Sequence, residues 1–145
     1  LWSDYDLDSY HDLLDDLPVE STQYSDQDND GYGDNPNGNN SDSCPNLFGN
    51  SSIDHFGCKD KDGDGWSDTN DIFPLTNNSW SDTDGDSYPD QGDEESVDDC
   101  PQIRGESFRN GTLGCSDVDH DGWADFEDAF ITNASQWEDS DGDGY

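Results

Sequence analysis

The sequence predicts a chain with little regular secondary structure, laid out as an extended tandem-repeat rod of short acidic loops and cross-linked by local disulfides. Three observations carry that prediction. The composition denies the chain an ordinary core. Carboxylates recur at a fixed spacing. The anchor residues between them, four cysteines included, recur in phase.

Of the 145 residues, 38 are Asp or Glu and 4 are Lys or Arg, for a net charge of -34. Leu, Ile, Val and Phe make up about 14% of the chain, below the ~20% under which a highly charged chain groups with disordered proteins. So little apolar surface cannot offset an ordering entropy of roughly 1–2 kcal/mol per residue. An ordinary globular enzyme with one large core is excluded. Nucleic acid is not an expected partner, because phosphate contacts need a basic surface. No apolar run approaches the ~18 residues of a span, so no membrane insertion is expected of this segment. No signal peptide or lipidation signal is visible. The chain opens at Leu1-Trp2 and stops inside an acidic run at Tyr145, so it reads as a slice of a longer repetitive protein. Five Trp and four Cys argue against a disordered acidic tail.

The period comes from Asp-x-Asp-x-Asp runs starting at Asp4, Asp26, Asp60, Asp82, Asp117 and Asp139. Short and long modules alternate: 1–25, 26–59, 60–81, 82–116 and 117–138, with 139–145 beginning a truncated one. Short modules carry Leu17-Pro18, Phe73-Pro74 and Phe130-Ile131, then an aromatic two residues before the next run (Tyr24, Trp80, Trp137). Long modules carry Cys44-Pro45 with Cys58, and Cys100-Pro101 with Cys115. No segment holds a helical or strand period, and Gly, Pro, Asn, Asp and Ser favour turns. One helical turn is expected over 68–73 and another over 125–130.

Within a run the carboxylates have the spacing of a metal loop. Asp60, Asp62, Asp64, Asp68 and Asp71 fall at loop positions 1, 3, 5, 9 and 12, with Gly65 at 6 and Trp66 at 7. A hard dication takes six to eight oxygens, so the chain must fold back around a point. Alternate residues aim carboxylates inward, Gly at 6 permits the turn, the carbonyl of 7 points in, and the last carboxylate closes the sphere. Asp117, Asp119, Asp121, Trp123, Asp125 and Asp128 repeat the set. So do Asp82, Asp84, Asp86, Tyr88, Asp90 and Asp93, and Asp4, Asp6, Asp8, Tyr10, Asp12 and Asp15, with Ser87 and Ser9 at the Gly position. Asp26, Asp28, Asp30, Tyr32 and Asp34 follow, with Asn37 at position 12; Asp139, Asp141, Asp143 and Tyr145 begin a sixth loop. One geometry thus places 27 of the 38 acidic residues. The alternative, a solvated acidic linker, would have to generate five complete registers by composition alone. Five carboxylates per loop favour Ca²⁺ over Mg²⁺, which keeps its waters. The expectation is a series of EF-hand-like calcium loops without EF-hand helices, binding five or more Ca²⁺ per chain. In this register Gly65→Val is expected to disrupt its loop far more than Gly57→Val.

Asp-x-Asp-x-Asp-Gly-x-x-Asp-x-x-Asp loops interleaved with Asp-x-Cys-Pro resemble the thrombospondin type 3 repeat, over nearly the whole chain. Residues 26–45 and 82–101 look like its Cys-Pro form; 60–74 and 117–130 look like a form with Phe in place of Cys. The resemblance implies an extracellular, calcium-folded, largely coil structure wrapped around ions in series. It also implies more than one ion per repeat, in which case Asp42 and Asp98 or Asp99 would join the ligands. The Trp and Phe-Pro elements look more like prokaryotic surface-protein versions. Sensor EF-hands and dockerins need an amphipathic helix after each loop, and Pro74 would stop one.

Cys44 and Cys58 occupy the same module positions as Cys100 and Cys115. Local pairing is the most economical of three connectivities; free thiols and zinc are the rivals, zinc disfavoured because no Cys-x-x-Cys occurs. Disulfides imply an oxidising compartment, extracellular or at the cell surface. Asn-x-Ser/Thr occurs at Asn39, Asn50, Asn77, Asn110 and Asn133, giving candidate glycosylation sites beside the alternative of chance in an Asn-rich chain. Trp66 and Phe73 are expected to pack with Trp80, and Trp123 and Phe130 with Trp137. No Ser-His-Asp or Cys-His constellation is supported, and no catalysis is expected.

The functional expectation is an extracellular structural protein: a calcium-stabilised rod or fibre segment, glycosylated, whose partners are calcium ions and further copies of the same repeat chain. Two alternatives stand beside it. One is a calcium-dependent adhesion or spacer module of a larger surface protein. The other is a dockerin-like or stalk region of a secreted enzyme.

Overall fold

The computed structural model describes residues 2–93 and 95–144. Among these residues there is no helix and no strand, so none is long and apolar enough to cross a membrane. The chain divides into two units, Leu1–Asn77 and Asn78–Tyr145. The same local structures recur in each.

Every acidic run folds around its first carboxylate. Oδ1 of Asp60 accepts the amide of Gly63 at 2.7 Å and Oδ2 that of Gly65 at 2.9 Å. Asp4, Asp26, Asp82, Asp117 and Asp139 bond the fourth and sixth residues of their own runs in the same way. To reach one carboxylate, both residues must turn left-handed. Gly63 and Gly65 have φ of +82° and +99°, which glycine adopts without strain. Leu7 and His120 hold the fourth position at +66° and +62°, a conformation costing L-residues roughly 1–2 kcal/mol. The loop geometry therefore overrides local preference at those two positions.

A second recurrent turn follows each loop. The amides of Leu17, Phe73 and Phe130 donate to Asp15, Asp71 and Asp128 at 2.6–2.8 Å. Those of Cys44 and Cys100 donate to Asp42 and Asp98 at 2.6 and 2.7 Å. In all five cases the carbonyl of the anchor residue then accepts two amides, two and three residues on. The Ser67 carbonyl accepts from Asn70 and Asp71, and Ala124 from Glu127 and Asp128. These are the expected single helical turns, starting one residue early. They stop because the amides of Phe73 and Phe130, two residues on, are diverted to Asp71 and Asp128, and that of Ala129 goes to the Trp137 carbonyl.

Disulfides join Cys44 to Cys58 and Cys100 to Cys115, and no cysteine among the described residues is free. Each closes a small lobe built on a serine that is fully buried: Ser51 Oγ accepts the Cys58 amide at 3.0 Å, and Ser107 Oγ the Cys115 amide at 2.9 Å. A Cβ on Gly105 would come 1.9 Å from the Cys115 carbonyl oxygen, so the lobe's two arms touch backbone to backbone.

The described interior is polar. Its buried hydrophobic residues are Cys58, Cys115 and Ala124 alone, whereas Asp15, Asp26, Asp42, Asp60, Asp71, Asp98, Asp117 and Asp121 are all buried. Small aromatic contacts flank the loops. Tyr10 stacks on Tyr24 at 4.1 Å and Trp123 on Trp137 at 5.9 Å, while Tyr32 meets Phe56 at 5.6 Å. The expected Trp123–Trp137 pairing is present.

Candidate cation-binding loops

Asp4-Asp6-Asp8, Asp26-Asp28-Asp30, Asp60-Asp62-Asp64, Asp82-Asp84-Asp86 and Asp117-Asp119-Asp121 each bring one carboxylate oxygen apiece within 4.8 Å of the others. Positions 1, 3 and 5 have different tasks. Position 1 is held by the two amides described above. Position 5 accepts the amide of position 7 at 2.7–2.9 Å, for Tyr10, Tyr32, Trp66, Tyr88 and Trp123. Position 3 is the least satisfied. Oδ2 of Asp6, Asp62, Asp84 and Asp119, and both oxygens of Asp28, are buried without a hydrogen-bond partner. Oδ2 of Asp64 and Asp121 at position 5 is in the same state.

A buried carboxylate oxygen without a donor costs several kcal/mol unless a cation faces it. In protein alone, burial and then the neighbouring carboxylates push Asp28, Asp64 and Asp71 above the ordinary range. Asp6 and Asp119 move the same way. Oxygen-only donors converging on one point suit a hard divalent ion. The carbonyls of Tyr10, Tyr32, Tyr88 and Trp123 accept no hydrogen bond from the described residues, so each can add an oxygen.

The closing carboxylate differs from the expected set in the long modules. In the short modules Asp15, Asp71 and Asp128 stand beside the triads, as the spacing requires: the charge of Asp15 acts on Asp6 and that of Asp128 on Asp119, while Asp64, Asp62 and Asp60 act on Asp71. Asn37 and Asp93, the residues at position 12 of the long modules, are exposed. Asp42 and Asp98, the added ligands that the resemblance implies, stand beside those triads instead, 7% and 4% exposed, each with Oδ2 buried and unpaired. Burial and then the neighbouring carboxylates (Asp30, Asp28 and Asp34) raise Asp42; burial with Asp86, Asp84 and Asp90 pushes Asp98 up to about 6. The physical reason is the Asp-x-Cys turn. It has the same hydrogen bonds as Asp-x-Phe, so it delivers the equivalent carboxylate five residues later. Asp99 instead pairs with the Leu113 amide at 2.8 Å.

Position 9 braces the loop. Asp12, Asp68, Asp90 and Asp125 accept the amide of position 2 at 2.8–3.0 Å. Ser3, Ser25, Ser81 and Ser116, each just ahead of its run, donate hydroxyls to Asp12, Asp34, Asp90 and Asp125. Hydrogen bonds from Ser3 and Tyr5 hold Asp12 below the usual range. Asp34 keeps Oδ1 buried and unpaired. In the sixth run Asp139 makes the position-1 bonds and Asp141 and Asp143 follow it, whereas Tyr145 lies outside the described residues.

Asn39, Asn50, Asn77, Asn110 and Asn133 are all exposed. A Ser/His/Asp grouping does form, unlike the expectation: Ser67, His55 and Asp54 meet within 3.4 Å. Ser67 is fully buried and its hydroxyl donates to Asp54, so the grouping is a structural clasp and not a nucleophile with its base. A comparison with models of known protein families finds no match, and neither does a search of curated proteins.

Proposed function

We propose that the chain is a calcium-folded segment of an extracellular structural protein, a rod or fibre element built from thrombospondin type 3-like repeats. One observation carries the reading: in five loops of the same register, buried carboxylate oxygens converge without a protein donor. Such a chain is ordered by its ions. Five divalent ions would cancel about ten of the 34 net negative charges and supply the interior that its apolar residues cannot. Calcium is favoured by the number of oxygens each loop offers: three run carboxylates, the closing carboxylate and the position-7 carbonyl. Two disulfides fit an oxidising, extracellular setting. The five exposed sequons fit glycosylation there. Further copies of the repeat chain are the proposed partners, and the role is non-catalytic.

Native mass spectrometry after dialysis against calcium tests this reading. Five or more ions per chain are expected, with magnesium failing to replace them at equal concentration. A count of none or one would sink it.

A further inference from the structure

The two disulfide lobes dock on the short loops that follow them, and the two clasps have opposite polarity. The shared part is backbone. Gly65 O accepts the amides of Ser52 and Ile53 at 2.9 and 3.0 Å, and Gly122 O those of Phe108 and Arg109, both at 2.9 Å. The remainder differs. In the first unit the acid sits on the lobe: Asp54 accepts the Ser67 amide at 2.8 Å, the Ser67 hydroxyl at 2.7 Å and the Asn70 amide group at 2.8 Å. At the equivalent contact of the second unit the acid sits on the loop: Glu127 accepts from Thr112 Oγ1 at 2.9 Å and from Asn110 Nδ2 at 3.3 Å, both on the lobe. A separate, exposed lobe acid, Glu106, lies 3.2 Å from His120 where the first unit has Asn50 and Gly63.

We propose that Asp54 and Glu127 are specificity determinants that keep each disulfide lobe on its own short loop. Near-identical repeats share the backbone clasp, so it cannot discriminate, and misassembly or exchange between copies is the characteristic failure of repeat proteins. With these residues, the first lobe placed on the second unit's loop would set Asp54 against Glu127. Two carboxylates at such a contact repel strongly. The second lobe placed on the first unit's loop would set Asn110 and Thr112 against Ser67 and Asn70, with no carboxylate between them. Each wrong pairing therefore loses what the right one gains. Asn70 and Glu127 occupy the same loop position, so one residue of each loop carries the distinction.

The test uses the full calcium-loaded chain. Asn70→Glu places a carboxylate against Asp54, and amide exchange at Ser52 and Ile53 should accelerate about tenfold or more. Adding Asp54→Asn recreates the polarity of the second unit and should restore protection. A double variant no better protected than Asn70→Glu alone, or no effect of Asn70→Glu, overturns the proposal. The double variant gives both units one polarity. After chelation and recalcification with disulfides intact, it should form exchanged dimers more often than the parent chain. Equal dimer fractions would make the clasp mere adhesion and overturn the assignment of specificity. The disulfides and the calcium count report separately whether each variant folds.

Discussion

The backbone amide of Cys100 donates to Oδ1 of Asp98 at 2.7 Å, while Oδ2 of the same carboxylate is buried and unpaired. One turn thus joins a disulfide to a carboxylate that stands beside an acidic triad. Cys44 and Asp42 repeat the arrangement at 2.6 Å. The cysteine is the anchor that aims the aspartate, as Phe73 aims Asp71 in the short module at 2.7 Å.

Asp42→Ala should therefore remove one calcium ion from the saturated count, or weaken one site by roughly 10- to 100-fold, the loss expected for a charged ligand. Asn37→Ala should leave the count unchanged. Asp98→Ala and Asp93→Ala should behave as the corresponding pair. Isothermal titration of the four variants reads both the count and the affinity. Equal losses from Asn37→Ala and Asp42→Ala would return the closing ligand to the twelve-residue frame.

Gly57 lies outside every acidic run, yet it presses on one. Its φ is +73°, and a Cβ there would come 2.3 Å from Asp42 Oδ1 and 3.0 Å from Asp30 Oδ2. At Gly65 a Cβ would meet the flexible side chain of Ile53 at 2.9 Å. Gly57→Ala should thus weaken the 26–42 site at least as much as Gly65→Ala weakens the 60–71 site, against the ranking expected from the loop register alone. Gly63→Ala is the reference: its φ is +82° with nothing within 4 Å, so it should cost only the roughly 1–2 kcal/mol of the left-handed conformation. Thermal unfolding at saturating calcium with ion counts separates strain from lost ligation.

The residues that a local spacing can specify were legible in the sequence. Asp60, Asp62 and Asp64 announce their cluster because three alternate carboxylates and a glycine define one turn. The paired cysteines and the scarcity of regular secondary structure among the described residues followed from the module phase and the composition. Asp42 and Asp98 lay outside the twelve-residue frame and entered only through the resemblance, as added ligands, although a local signal was present: Asp-x-Cys-Pro and Asp-x-Phe-Pro are the same anchor motif. Gly57 and Asp54 were not legible, because they act on loops distant in sequence through contacts that only the folded lobe creates.

Asp54 gives the clasp of the first unit a pH dependence. Burial acts to raise it, but donors from Ser67, the His55 amide and Asn70 prevail and lower it to about 2 from an ordinary 3.8. The folded value lies below the unfolded one. The contribution is therefore complete above about pH 4 and disappears as pH falls toward about 2. His55, with Nδ1 3.3 Å from Asp54 Oδ2, is the nearby cationic group when protonated, and Asp64 the nearby carboxylate. Exchange of the Ser67 amide should accelerate across that interval, relative to the pH dependence of intrinsic exchange. In Asp54→Asn the additional acceleration should vanish; its persistence would assign the effect to another group.

Removing calcium should abolish order instead of loosening it. Five carboxylate triads, each converging within 4.8 Å, would be left to repel one another, and the described interior has Cys58, Cys115 and Ala124 as its buried hydrophobic residues. So few buried apolar residues among the described ones cannot offset the entropy of ordering the chain, so on the proposed reading metal binding and folding should form one equilibrium. With disulfides intact, the chelated chain should expand toward the roughly 40 Å radius of gyration of an unfolded chain of this length, reduced by its two short cross-links. The near-ultraviolet signal of the Trp123–Trp137 stack should disappear at the same calcium concentration, and the amides of Gly65 and Gly122 should lose protection with it. Readdition of calcium should restore all three together. Protection at Gly65 that survives complete metal removal would show that the hydrogen bonds to Asp60 hold the loop by themselves, and the cations would then be guests of a preformed fold.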